Sequence, residues 1–164
     1  MPCLLIVYHS QTGGTQQMAA AAAQGAIESE PQVRTRLVHA DVAGADDLLA
    51  ADGYLFATPE NLAAICGVVK HFFDRTYYAV LDRLVGRAYG VMICAGSDGA
   101  NAARQVERIA VGWRLRAVAP PLIVCTHAQT AAEILRPKRI GQRDLDRCRE
   151  LGATMAGGLG LGIF

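Results

Sequence analysis

The stretch "YHSQTGGTQQ", residues 8–17, joins a short apolar run to an alanine-rich helical pattern. It carries hydroxyls at Ser10, Thr12 and Thr15, the Gln11 amide and the Gly13–Gly14 pair, with no lysine or arginine. Free amides at a helix start, with the positive end of its dipole, favour an anion by up to about 2 kcal/mol in partly buried geometry. A phosphate can therefore be held there without a cation. A helix cap needs one hydroxyl, and this loop offers three. The missing lysine removes the central residue of a GxxxxGK[ST] triphosphate loop, and there is no GxGxxG for a dinucleotide.

Two further segments have the composition of ligand loops. "TPENLAAICG", residues 58–67, reads as a loop stiffened by Pro59, with backbone groups and Asn61 able to grip a flat heterocycle. Glu60 in it suits a ligand no better than an exposed or first-turn carboxylate. "AGSDGAN", residues 95–101, sets Gly96 and Gly99 around Ser97 and Asp98; either of these can cap a helix, and the glycines allow close backbone approach. Other polar residues have plainer readings. His9 fills a polar gap, Lys70 and Asp74 form a surface i,i+4 pair beside Arg75, Tyr77 and Tyr78 pack partly buried, and Trp113 is structural. Cys66 is the thiol closest in sequence terms to the expected site and is read as inert.

Short apolar runs at 3–8, 33–40, 53–58, 88–95 and 117–126 predict strands buried on both faces. Helical patterns at 12–28, 65–80, 101–114 and 142–158, with a weak one at 45–51, alternate with them. This βα alternation predicts a parallel sheet in a three-layer sandwich, in either a Rossmann-like or a 2-1-3-4-5 order. Ligands then collect at the carboxyl ends of the strands, after residues 8, 57 and 95. "APP" at 119–121 interrupts the last strand and suits an edge or a bend. The alanines at 19–23 predict a helix lying close to the sheet, and the tail "GGLGLGIF" predicts a segment folded back on the body or on a neighbouring subunit.

The 164 residues fit one domain, 1–164, and 52% hydrophobic against 19% charged residues supplies a core. A formal charge of +1 without a basic tract gives no footprint for nucleic acid or an anionic membrane, so a small molecule is the expected partner. "MPCLLIVYHS" has no basic leader and no apolar stretch reaches membrane length, so a cytoplasmic protein is expected. Five cysteines without metal-like spacing predict no metal and no disulfide framework. The arginine, alanine and glycine bias suggests a GC-rich bacterial source.

"LLIVYHSQTGGTQQMA", "ADGYLFATPENLAAICGVVKHFFDRTYY" and "ICAGSDGANAARQVERIA" resemble, in order and spacing, the flavodoxin-like FMN proteins, and in particular bacterial NAD(P)H-dependent FMN reductases and Trp-repressor-binding-protein-like quinone reductases. The resemblance implies a five-stranded parallel sheet in order 2-1-3-4-5 and non-covalent FMN. It places the FMN phosphate on Ser10, Gln11, Thr12, Gly13, Gly14 and Thr15, the isoalloxazine on Thr58, Pro59, Glu60, Asn61, Leu62 and Ala63, and its pyrimidine side on Ala95, Gly96, Ser97, Asp98 and Gly99. No catalytic side chain is expected, because flavin N5 carries the hydride chemistry. FMN rather than FAD is expected, since no second mononucleotide segment is visible.

Neither flavin-facing loop contains an aromatic residue, and the near-neutral charge differs from the acidic electron carriers. An NAD(P)H-dependent oxidoreductase acting on a quinone, azo or flavin-type acceptor is therefore the expected function. A one-electron carrier and a flavin-free interaction module of the same fold are the alternatives. An open flavin face would admit a nicotinamide or a quinone, or be covered by a second subunit in a homodimer.

Overall fold

The computed structural model describes residues Met1–Phe164. In chain order the elements are β1 (Cys3–Tyr8), α1 (Gly14–Ser29), β2 (Arg34–His39), α2 (Ala45–Leu49), β3 (Gly53–Asn61), β4 (Ala64–Ile65), α3 (Gly67–Val80), β5 (Ala88–Ala95), α4 (Ala100–Gly112), β6 (Arg116–Ala117), β7 (Leu122–Cys125), α5 (Ala131–Leu135) and α6 (Gln142–Gly160). The central sheet runs β2-β1-β3-β5, with β6 and β7 both parallel to β5 on its outer side. This is the 2-1-3-4-5 order with its last strand in two pieces.

The break has a simple cause. β6 pairs with Ala88 and Tyr89 and β7 with Met92 to Ala95, and between them Pro120 and Pro121 have no amide to give the ladder. The single strand expected over 117–126 is corrected to two short ones. A second correction concerns 58–67. β3 continues to Asn61 and turns back through Leu62 and Ala63 into β4, pairing Glu60 with Ile65 and Asn61 with Ala64. Both turn residues have positive φ, 51° and 60°, as a two-residue type I′ hairpin requires. α5 is also additional to the expected helices; its five residues are too few to show a hydrophobic period.

β1, β3 and β5 are buried along almost their whole length because helices cover both faces. One face holds a core of 26 buried residues containing Tyr54, Phe56, Phe72, Phe73, Tyr89 and Trp113. The other holds 22, mostly aliphatic and alanine, under α1 and α6. The fully buried aromatic side chains all lie on the first of these faces. Trp113 is buried, donates to the Tyr77 carbonyl at 3.1 Å and stacks on the Tyr77 ring, whereas Tyr78 is exposed. At the tail, Phe164 packs against Gly158 under the Arg116 guanidinium, which lies 5.6 Å above its ring.

The alanines of α1 serve a helix as much as the sheet. α1 and α6 approach until Gly25 lies on the Arg149 carbonyl and Gly152 on the Ala22 carbonyl, leaving no room for a β-carbon at either position. Gly157 on α6 has open space. Gly25→Ala is expected to destabilise the fold by about 3 kcal/mol through overpacking of rigid backbone, while Gly157→Ala stabilises it by roughly 1 kcal/mol. Urea unfolding of the two variants checks the opposite signs. At the hairpin tip, Ala63→Gly is expected to add about 1 kcal/mol in the same measurement, because glycine removes the left-handed backbone penalty at an exposed position.

Candidate functional site

At the carboxyl ends of β1, β3 and β5 lies a cavity of about 570 Å³. The loop after β1 contributes Ser10, Gln11, Thr12, Gly14 and Thr15; the β3–β4 hairpin contributes Pro59, Glu60, Asn61 and Leu62; the loop after β5 contributes Ala95, Gly96 and Ser97. The topology thus brings the three segments to one place. Gly13, Thr58, Ala63, Asp98 and Gly99 do not line it. Thr58 is fully buried, donates to the Pro59 carbonyl at 2.9 Å and accepts from the Cys66 amide at 3.3 Å, so it fixes the strand end from behind.

The start of α1 has the properties of an anion cradle. Gly13 occupies the cap position at φ 94° with no side-chain cap, and no acidic residue stands in the first turn. The first backbone bond of the helix is from Gln17 to the Gly13 carbonyl, so the Gly14, Thr15 and Gln16 amides have no carbonyl below them. Thr15 is 1% exposed, and its buried hydroxyl meets no oxygen or nitrogen partner; the Cys94 thiol is the one polar group beside it. Ser10 accepts from the Gly13 amide at 3.1 Å, which holds the loop curled. At Gly14 a β-carbon would stand 2.6 Å from the Cys94 sulfur, so glycine lets the helix start settle onto β5.

The other two loops are tied to each other and to this one. Glu60 accepts from the Gly99 amide at 2.6 Å and so satisfies the start of α4; it is neither a free carboxylate nor part of a first turn. Asn101 donates to the Ala63 carbonyl at 2.6 Å and Gln105 accepts from the Ile65 amide at 2.9 Å, which straps the hairpin along α4. Asn61 donates to Gln11 at 2.9 Å, joining the hairpin to the loop after β1. Asp98 is a turn residue, accepting from Ala100.

The chain after β7 supplies a fourth wall that the sequence reading did not include: Thr126, Ala128, Gln129, Ile134 and Lys138. The Lys138 amide donates to the Thr12 carbonyl at 2.7 Å, and Gln17 bridges Gly13 to the Lys138 carbonyl and the Ile140 amide. A cation thus stands in the cavity wall although the first loop has none. Its ammonium donates to the Glu133, Ile134 and Arg136 carbonyls, so all three of its N–H bonds are occupied. "RPKR" at 136–139 was the available signal, but nothing local ties it to residues 126 positions earlier.

The thiol in the wall is Cys94, which corrects the placement of Cys66; Cys66 sits in the core at the start of α3. Burial pushes the Cys94 thiol up to about 11 against the opposing charge of Lys138, so it is a neutral thiol near neutrality and no nucleophile. His9 lies outside the cavity, its Nδ1 3.0 Å from Nε2 of His39, whose other nitrogen faces Asp41 at 3.3 Å. Burial and the His39 neighbour hold its pKa below the ordinary histidine value. Lys70 and Asp74 form the expected exposed pair at 2.6 Å, and Arg75 reaches the Ala40 carbonyl. No group of three metal-ligating side chains is present, and no helix is long and apolar enough to cross a membrane.

Residues 39–130 match the NADPH-dependent FMN reductase family. A flavodoxin of Aquifex aeolicus is 37% identical over 95 residues, covering 58% of this chain and 49% of the relative. An NAD(P)H dehydrogenase (quinone) of Acidithiobacillus ferrooxidans is 33% identical over 118 residues, covering 60% and 59%. The chain spans between 49% and 59% of the length of the curated relatives it matches. Among solved structures, a flavodoxin from the domain Archaea superposes with a TM-score of 0.77 at 18% identity, covering 96% of this chain and 98% of that one. A flavodoxin, WrbA-like protein from Agrobacterium tumefaciens gives 0.73 at 20%, covering 96% of both. The fold is therefore flavodoxin-like and its cofactor FMN, and the chain belongs to the NADPH-dependent FMN reductase family.

Proposed function

We propose that residues 1–164 form a single FMN-binding domain that takes reducing equivalents from NADPH or NADH and delivers them to a quinone, azo or flavin-type acceptor. One observation carries the placement of the cofactor: the buried Thr15 hydroxyl, without an oxygen or nitrogen partner, at the uncapped start of α1. A thiol is a weak hydrogen-bonding group, and a phosphate oxygen is the strong acceptor that this buried hydroxyl lacks. The residues present fit a monoester phosphate. Ser10, Thr12, Thr15 and the α1 amides would hold it, the hairpin from Pro59 to Leu62 would lie along one side of the ring, and Ala95 to Ser97 would border its polar edge.

FMN, when bound, supplies the redox chemistry, accepting two electrons and a proton as hydride and passing them to the acceptor. The chain's own part is to orient and enclose. Glu60, Asn61, Asn101 and Gln105 hold three loops in one arrangement through bonds within the chain, which limits the ordering that binding has to supply. No aromatic side chain lines the cavity, which leaves ring surface for a nicotinamide or a planar acceptor to stack upon. That openness favours a reductase. The similarity to a flavodoxin supports the second reading, a one-electron carrier with a protein partner.

Purified protein is expected to carry or take up FMN, and anaerobic mixing with NADPH to bleach its visible absorption at a rate that supports turnover. Bound flavin that neither NADPH nor NADH bleaches would exclude the reductase and leave the carrier. Thr15→Val is expected to raise the stability of the FMN-free protein by up to about 1 kcal/mol and to weaken FMN binding at least tenfold, since it removes a buried hydroxyl that only a thiol meets and with it one phosphate partner. Thermal unfolding without FMN and fluorescence titration with it read the two signs. Thr12→Glu should abolish FMN binding by charge repulsion while leaving the fold intact; unchanged binding would mean the phosphate lies elsewhere.

A further inference from the structure

Two charged side chains line the cavity, Lys138 and Glu60. They belong to different walls. Glu60 stands on the hairpin and accepts from the Gly99 amide, at the start of α4, at 2.6 Å. Lys138 lies on the segment after α5 and is fastened to the other side: its amide donates to the Thr12 carbonyl at 2.7 Å, and Gln17 of α1 donates to its carbonyl at 2.8 Å. A β-carbon on Gly14 would lie 2.6 Å from the Cys94 sulfur and 3.4 Å from the Lys138 β-carbon. The lysine side chain therefore leaves the backbone directly beside the first residue of α1, one position from the buried Thr15 hydroxyl.

The charge of Lys138 has no counter-ion. None of the ion pairs of the structure includes it. Its ammonium is met instead by three neutral carbonyls, of Glu133, Ile134 and Arg136, at 2.8, 2.7 and 2.6 Å. Carbonyl dipoles hold a cation in place without cancelling it. The acids closest in sequence are engaged elsewhere, Glu133 with the Gln129 and Thr130 amides and Asp144 with Arg147. The charge is felt in the cavity wall. Burial raises the Cys94 thiol, and Lys138 is the strongest influence against that rise, ahead of the hydrogen bond with Thr15. An uncapped helix start, hydroxyls and a fixed positive charge thus meet at one place, with no negative charge among them.

We propose that Lys138 is the counter-charge of the FMN phosphate, acting through space without donating a hydrogen bond to it, and that it makes the site select FMN over riboflavin. The inference rests on the placement of FMN in this cavity. The amides of α1 and the hydroxyls of Ser10, Thr12 and Thr15 give the phosphate its hydrogen bonds, and Lys138 gives the charge that they lack. Lysine acts on phosphate as a point charge, so it needs no matched contact geometry. Opposite charges several ångströms apart in a partly buried setting attract strongly enough to change a binding constant about tenfold. Riboflavin has the same ring and ribityl chain but no charge at that end, and it gains nothing from the lysine. The two wall charges also set a direction, with the phosphate toward Lys138 and the ring toward the hairpin that carries Glu60.

The test titrates the full chain, freed of FMN, with FMN and with riboflavin by flavin fluorescence at low and moderate salt. The parent should bind FMN the more tightly, and added salt should weaken FMN and leave riboflavin unchanged. Lys138→Gln keeps an amide donor for the α5 carbonyls but has no charge; it should lose about tenfold of the FMN affinity and none of the riboflavin affinity. Lys138→Arg should keep the preference. Thr130→Ala removes the hydroxyl that accepts from the Glu133 amide at 3.2 Å, loosening α5 without touching a charge, and should leave the ratio of the two affinities as it is. An unchanged ratio in Lys138→Gln, or an equal fall in Thr130→Ala, overturns the assignment. So does a parent in which salt weakens both flavins alike, an outcome that needs no variant to fold. A parent that takes up neither flavin overturns the flavin site itself, and this assignment with it.

Discussion

α1 and α6 lie backbone to backbone, Gly25 against the Arg149 carbonyl and Gly152 against the Ala22 carbonyl, and this contact sets where everything at the ligand end can stand. With any larger residue at either glycine the helices would separate, and α1 would ride away from the sheet. Its start would then no longer settle over Cys94, where only the missing β-carbon of Gly14 lets it fit. The five alanines from Ala19 to Ala23 and Gly25 make this depth possible, at the cost of the packing that larger side chains would provide. The placement of an uncapped, acid-free helix start at the bottom of the cavity follows from it.

The opposite wall depends on polar bonds instead of close packing. The hairpin tip puts Leu62 and Ala63 in left-handed backbone, which costs roughly 1–2 kcal/mol per residue. Its hydrogen bonds to Gly99, Asn101 and Gln105 offset that cost and join it to α4. The loop after β1 is held from two directions, by Asn61 and by the Lys138 amide. The hairpin is bonded to both of the other loops, through Asn61 to Gln11 and through Glu60 to Gly99. The site behaves as one arrangement, with its buried Thr15 hydroxyl left over inside it.

Element type was legible where a periodic pattern ran long enough. The runs 3–8 and 88–95 coincide with β1 and β5, and the helical patterns fall within a few residues of α1, α3, α4 and α6. The loop after residue 8 was legible as an open helix start because its free amides depend on residues within one turn. The β3–β4 hairpin was not, since Leu62 and Ala63 are poor type I′ residues and only bonds to α4, about forty positions later, hold them there. Pro120 and Pro121 gave the location of a break but not that β6 and β7 would both find β5 on either side of it.

From the order of its residues alone, this chain determined an alternating βα architecture, a glycine- and hydroxyl-rich helix start without a cation, and a ligand end free of aromatic side chains. These depend on short-range periodicity and on local amide and hydroxyl chemistry. Only the tertiary structure decided that Cys94 and not Cys66 faces the cavity, that Glu60 completes the start of α4, and that Lys138 brings a positive charge and a fourth wall to a loop lacking both. These depend on which strand ends lie side by side and on bonds spanning 39 to 126 positions of chain, from Glu60 to Gly99 and from Thr12 to Lys138. No periodicity extends so far, and packing alone brings such residues within reach.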